Sequence, residues 1–229
     1  MGLATVREPW HFPRMARFTL TTFTPGEAEK ITGLSTAMQR DWRRRGFIAG
    51  GDGHARFNAF TLGELLTLKL LADAGVGPQQ GQSYARWTTA GIVWHALQWV
   101  DAYEGDHQRT LADAGPMMNS GPATWGQKVD WLARATMKAN GHHGAPGRFF
   151  IRWADGSERW EESLDTAFGQ HATSDPQVTG PVVVFDLQAL GGLLVDRAAR
   201  PLVHVDLTDS LKSASDDADL PSDGATPNA

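Results

Sequence analysis

Between residues 24 and 75, signals that open and close helices alternate too closely for any long element to fit. Thr24-Pro25-Gly26-Glu27 and Thr61-Leu62-Gly63-Glu64 each set a hydroxyl three residues ahead of a carboxylate, the reciprocal pattern of a capping box. Pro25 adds a fixed φ at the first helical position. Glycines at 33, 46 and 75 supply the stops. The spacing predicts a helix over 25–32, a tight turn at Gly33-Leu34, a second helix over 36–45 capped by Ser35, and a third over 62–74. Between the last two, Phe47-Ile48 and His54-Ala55-Arg56-Phe57 flank the glycine-rich residues 49–53, and they read as a β-hairpin.

On a helical projection of 36–45, Met38 and Trp42 share one side and are expected to pack inward with Leu34 and Phe47. Thr36, Gln39, Arg40 and Arg43 fall on another face, with Arg44 one turn beyond Arg40. That face carries no carboxylate; Asp41 sits off it, four residues before Arg45, where the two can pair. The basic stretch stands out because the chain is acidic, with net charge −5. Residues 1–70 hold ten Lys/Arg against six Asp/Glu, and the remainder eleven against twenty. Guanidinium forks suit phosphate oxygens and the guanine edge, and a glutamine carboxamide suits adenine. A short helix presented by a preceding helix and a tight turn has the shape of a major-groove reader. Thr36, Gln39, Arg40 and Arg43 are therefore expected to face the groove of double-stranded DNA, with Arg44, Arg56 and His54 on phosphates. A solvated basic face explains the charge run alone equally well; the ordered succession of caps, turn, helix and hairpin favours DNA.

Residues 24–75 resemble the MerR-type winged helix-turn-helix domain. Thr24–Ser35 is similar to that family's opening helix and turn, Leu34–Ile48 to its recognition helix, and Arg56–Leu66 to the end of its wing and the next helix. Arg40, Trp42 and Gly46 match the family's arginine, second aromatic and glycine. The resemblance implies that Arg40 touches DNA, that Trp42 bridges core and backbone phosphate, and that Arg56 acts from the wing. Asp41 stands where the family carries the first aromatic of a pair, and Arg43 where it carries an acid. The sustained heptads of its dimerising coiled coil and the cysteines of its metal sensors are absent from this sequence. Related domains occur in phage excisionases and small packaging subunits, so a DNA-architectural or packaging role stands as the alternative to transcription regulation. A protein-interaction module, its basic helix meeting an acidic partner, stands behind both.

The rest of the chain reads as α+β. Residues 84–104 are expected to be one helix with an apolar stripe (Ile92, Val93, Ala96, Leu97, Trp99, Val100, Tyr103) that serves a core or a homodimer interface. Residues 105–123 read as loop, and Thr124–Gln127 as the cap of a helix to Ala139. Residues 148–153 and 159–163 read as a hairpin around Ala154–Ser157. A strand over 182–185, a helix over 187–199 and a strand over 202–205 follow, with Asp186 as helix cap and Gly191-Gly192 as a close-packing site rather than a nucleotide loop. The domain reading is an arm over 1–17, the winged helix-turn-helix over 18–77, an α+β region over 78–206 and an acidic tail over 207–229, too poor in apolar residues to fold. The absence of cysteine excludes disulfides and thiolate chemistry. Glu104 with His107, and His142-His143, match no metal spacing, and no nucleophile–base pair stands out. No catalytic, metal or cofactor site is expected. No apolar run has transmembrane length, and no secretory pattern opens the chain; a cytoplasmic protein is expected. Several of the nine tryptophans could line a pocket for a small-molecule effector, though core filling accounts for them more simply.

Overall fold

The computed structural model describes residues 15–49, 55–114, 124–142 and 147–208, a mixed α+β arrangement of helices with two small sheets. Strand β1 (Met15–Leu20) leads into α1 (Pro25–Thr32) and α2 (Thr36–Arg44). The first capping box forms as its residues suggest: Glu27 N–H donates to Thr24 Oγ1 (3.3 Å) and Thr24 N–H to Glu27 Oε2 (2.6 Å). Gly33 closes α1 at φ 77°, a left-handed value that glycine adopts without Cβ strain. Gly46 closes α2 at φ 76°, with Phe47 N–H reaching back to Trp42 O (2.8 Å) in a Schellman turn.

Helix α3 (Ala59–Asp73) begins three residues earlier than the Thr61 box predicts. Asn58 is its cap, and Asn58 Oδ1 accepts from Thr61 N–H (3.1 Å). Thr61 and Glu64 therefore lie inside the helix. A hairpin flanking 49–53 is not formed by the described residues either. Phe57 instead pairs antiparallel with Phe23, each N–H donating to the other's carbonyl (2.7 and 2.9 Å). Residues 50–54, His54 among them, lie outside the described chain.

Helix α4 (Pro78–Ala96) runs back along α3, with Gly63 against Thr89 and Gly81 against Leu68 and Leu71. It is shorter than the stripe over 84–104 suggests. Beyond Ala96 the chain makes a 3-10 turn (Val100–Ala102) and then β2 (Tyr103–Gly105). Tyr103 is buried in that strand, whereas Trp99 is left exposed. Residues 107–114 form α5 (His107–Ala114) where loop was expected. Helix α6 (Trp125–Ala139) carries the capping box read at Thr124 and Gln127. The hairpin β3 (Phe149–Arg152) and β4 (Glu158–Glu161) follows, then α7 (Leu164–Gly169), β5 (Val183–Asp186), α8 (Leu187–Arg197) and β6 (Val203–Thr208).

Strand β6 is the centre of the first sheet, antiparallel to β1 and parallel to β2; β3 is the centre of the second, antiparallel to β4 and β5. The pairing of Met15 with Thr208 and Ala16 with Leu207 corrects both ends of the domain reading: residues 15–17 of the arm and 207–208 of the tail belong to a sheet. One hydrophobic cluster joins Phe23, Leu34, Trp42 and Phe57 to Leu65 and Leu68 of α3, Ile92 of α4, Leu132 of α6, Phe150 of β3, Leu194 of α8 and Val205 of β6. The 18–77 and 78–206 regions share that core.

Candidate nucleic-acid interface

Nine residues make α2 roughly 14 Å long, about the width of a DNA major groove. Its angle to α1 is fixed by a dense set of short polar contacts. Ser35 Oγ accepts from Met38 N–H (3.3 Å), and the Glu29 carboxylate on α1 accepts from Thr36 N–H (3.0 Å). Thr32 Oγ1 donates to Ala28 O (2.7 Å) and accepts from Leu34 N–H (3.2 Å). Trp42 and Leu34 are buried beneath the helix, with Phe47 packed against the same cluster.

The inward face differs from expectation at two neighbouring residues. Gln39, assigned above to the groove-facing set, is 2% exposed. Its Nε2 donates to Leu34 O (2.8 Å) and Pro25 O (3.1 Å), so its carboxamide bolts α2 to the turn and to the start of α1. Met38, expected inside, is instead exposed. The inner direction of α2 lies between Gln39 and Trp42; positions 38 and 42 flank one edge of that face and 39 the other, so Met38, about 100° round the helix from Gln39, falls at the rim. The carboxamide NH2 donates to both carbonyls at once, which a thioether cannot do. Gln39 is therefore a positioning residue and is not available to read a base.

The outward face keeps Thr36, Arg40 and Arg43 together. Arg40 is exposed, with Nε 3.4 Å from Thr36 O. Thr36, Gln39, Arg40 and Arg43 of α2 line a cleft of about 420 Å³ together with Pro25, Ala55 and Phe57. On its far side Arg40 also borders a shallower hollow of about 240 Å³ shared with Ala37, Asp41 and Arg44. Arg56 is exposed between two residues that line the larger cleft, and its Nη1 donates to Ala55 O (3.3 Å). Arg44 projects furthest, its side chain 77% exposed. Asp41 pairs with Arg44 (2.6 Å) as well as with the expected Arg45 (3.0 Å), and so offsets part of the charge at the end of the helix. Trp42 is in the core, at 5% exposure.

Pro25 and Ala55 were missed as cleft residues by sequence reasoning. Pro25 was legible only as a helix opener, and Ala55 carries no chemical signal. Two arginines from the far end of the chain were also missed. Arg200 donates to Thr22 O (2.7 Å) and pairs with Glu27 (3.2 Å), and Arg197 donates to Ile31 O (3.3 Å). The Thr24 N–H, the Thr24 hydroxyl and then Arg200 hold the carboxyl of half-buried Glu27 below the usual carboxylate range. No trio of His, Asp or Glu side chains suited to a metal occurs among the described residues. No helix there is long and apolar enough to cross a membrane. No protein-family model matches the chain, and no curated protein matches it either.

Proposed function

We propose that the protein binds double-stranded DNA through α2 and acts as a transcription regulator of MerR-like type. The observation that supports this most is the two-sidedness of α2: Trp42 is buried and Gln39, though at the cleft wall, is 2% exposed with its Nε2 engaged by Leu34 O and Pro25 O, while Thr36, Arg40 and Arg43 line the same cleft and Arg44 stands in solvent. A helix bolted at its inner face presents its cations without paying the ordering entropy on contact. Arg40, which borders both hollows, is the centre of the contact. Thr36 and Arg40 reach base edges, while Arg43, Arg44 and Arg56 hold phosphates.

The burial of Gln39 favours one second reading, a DNA-architectural or packaging protein. With the carboxamide used internally, fewer side chains remain to discriminate bases, and affinity leans on the backbone. Selection of bound duplexes from a random pool separates the two. An enriched motif, doubled with two-fold symmetry if the protein dimerises, supports the regulator. Retention without an enriched motif supports the architectural reading, and no retention at low salt removes both.

A further inference from the structure

The end of α2 does not stop at solvent. Gln82, in the second turn of α4, donates from Nε2 to both Gly46 O and Phe47 O (3.2 Å each). That carboxamide joins α4 to the loop that closes the basic helix. Arg86 follows Gln82 by four residues, so it stands on the same face one turn further on. It is exposed, and none of the ion pairs among the described residues involves it. Its guanidinium lies 5.5 Å from the centre of the Trp87 ring. Trp87 is 42% exposed, and the edge strand β4 backs it with Trp160, 36% exposed, at 5.7 Å in an edge-on arrangement. No Asp or Glu occurs anywhere from Pro78 to Ala96.

We infer that this face of α4 is a second contact for the DNA backbone, continuous with α2: Arg86 takes a phosphate and Trp87 covers the neighbouring deoxyribose. This rests on the reading of α2 proposed above. Three features favour a phosphate backbone over a protein partner. The only formal charge on α4 is a cation, and it stands one helical turn from the residue hydrogen-bonded to the end of the basic helix. The aromatic beside it is held by a second ring rather than free to collapse. A planar cation stacked on an exposed ring is suited to a phosphate flanked by an apolar sugar. The contact carries no base information, so it adds affinity equally on every sequence.

The test is titration of a labelled duplex by the full chain across a range of salt, for the wild type, Arg86→Ala, Arg86→Gln, Trp87→Ala, Arg40→Ala and Arg134→Ala. Arg134 is the control: it too sits over a tryptophan, Trp94 at 5.2 Å, but is paired with Asp130 (2.7 Å). Both Arg86 variants are expected to lose roughly eightfold in affinity at about 0.1 M salt, on any duplex, and to flatten the log–log salt slope by about 0.9. Trp87→Ala is expected to weaken binding with the slope unchanged, and Arg134→Ala to match the wild type. Wild-type affinity and slope in both Arg86 variants, with Arg40→Ala impaired, overturn the α4 contact and leave the α2 reading standing. A wild type that binds no duplex removes both. A dimer that Trp87→Ala splits, with DNA affinity per chain unaltered, reassigns the patch to a second copy of this chain.

Discussion

Met38 and Gln39 are adjacent in the chain and have exchanged the places their chemistry suggests. Hydropathy puts the thioether inside and the carboxamide at the groove; the helix buries Gln39 beside Trp42 and leaves Met38 exposed. What hydropathy cannot register is that the junction of α1 and α2 offers two carbonyls, Pro25 O and Leu34 O, to a donor at position 39. Replacing Gln39 with alanine is therefore expected to lower stability by about 1–2 kcal/mol through the two lost hydrogen bonds. Chemical denaturation reads it, and an unchanged midpoint contradicts the bolt. By contrast, the arginines were legible as single residues, because four guanidiniums within six positions cannot all be buried, whatever the helix phase.

Among the elements, capping chemistry was the most legible signal. The Thr24 and Thr124 boxes, the Ser35 and Asp186 caps and the stops at Gly33, Gly46 and Gly75 all formed where the side chains and glycines called for them. Failures came where two caps competed or where pairing was remote. Asn58 displaced Thr61 because its own carboxamide takes the Thr61 N–H and so starts the helix about one turn earlier. The 84–104 stripe concealed a break, since Tyr103 gains a parallel partner, Val203, a hundred residues on. The Gly191 packing site is confirmed in the most direct way. A Cβ there would lie 2.5 Å from Ala96 N and 2.7 Å from Ile92 O, both backbone atoms that cannot step aside. Gly191→Ala is thus expected to push α8 off α4 and cost roughly 1–3 kcal/mol or more. A thermal midpoint equal to that of the wild type contradicts that close crossing.

At the scale of the molecule, the two ends of the described chain converge on the helix pair that bears the basic face. Strand β1 pairs with β6, and the turn that follows α8 sends Arg200 to Thr22 O and Glu27. None of this was legible in advance, because pairings across more than 170 residues leave no local trace. The Glu27 carboxyl, held low by Thr24 and Arg200, ties the whole to pH. A depressed folded-state value means that its contribution is present above the unfolded value and is lost as pH falls through the folded one. Stability should thus decline as pH falls below the ordinary glutamate range, and Glu27→Gln should flatten that decline. An identical pH profile in the variant contradicts the coupling. All of this scaffolding serves one proposed end, the presentation of α2 to a duplex. The most direct measurement is duplex affinity as a function of salt, for the wild type and Arg40→Ala. The four phosphate contacts assigned to Arg43, Arg44, Arg56 and Arg86 correspond to a log–log slope of about −3.6, and loss of the Arg40 side chain should cost about 1 kcal/mol or more on the preferred site. A salt-independent affinity, or an Arg40→Ala variant that binds like the wild type, contradicts the account.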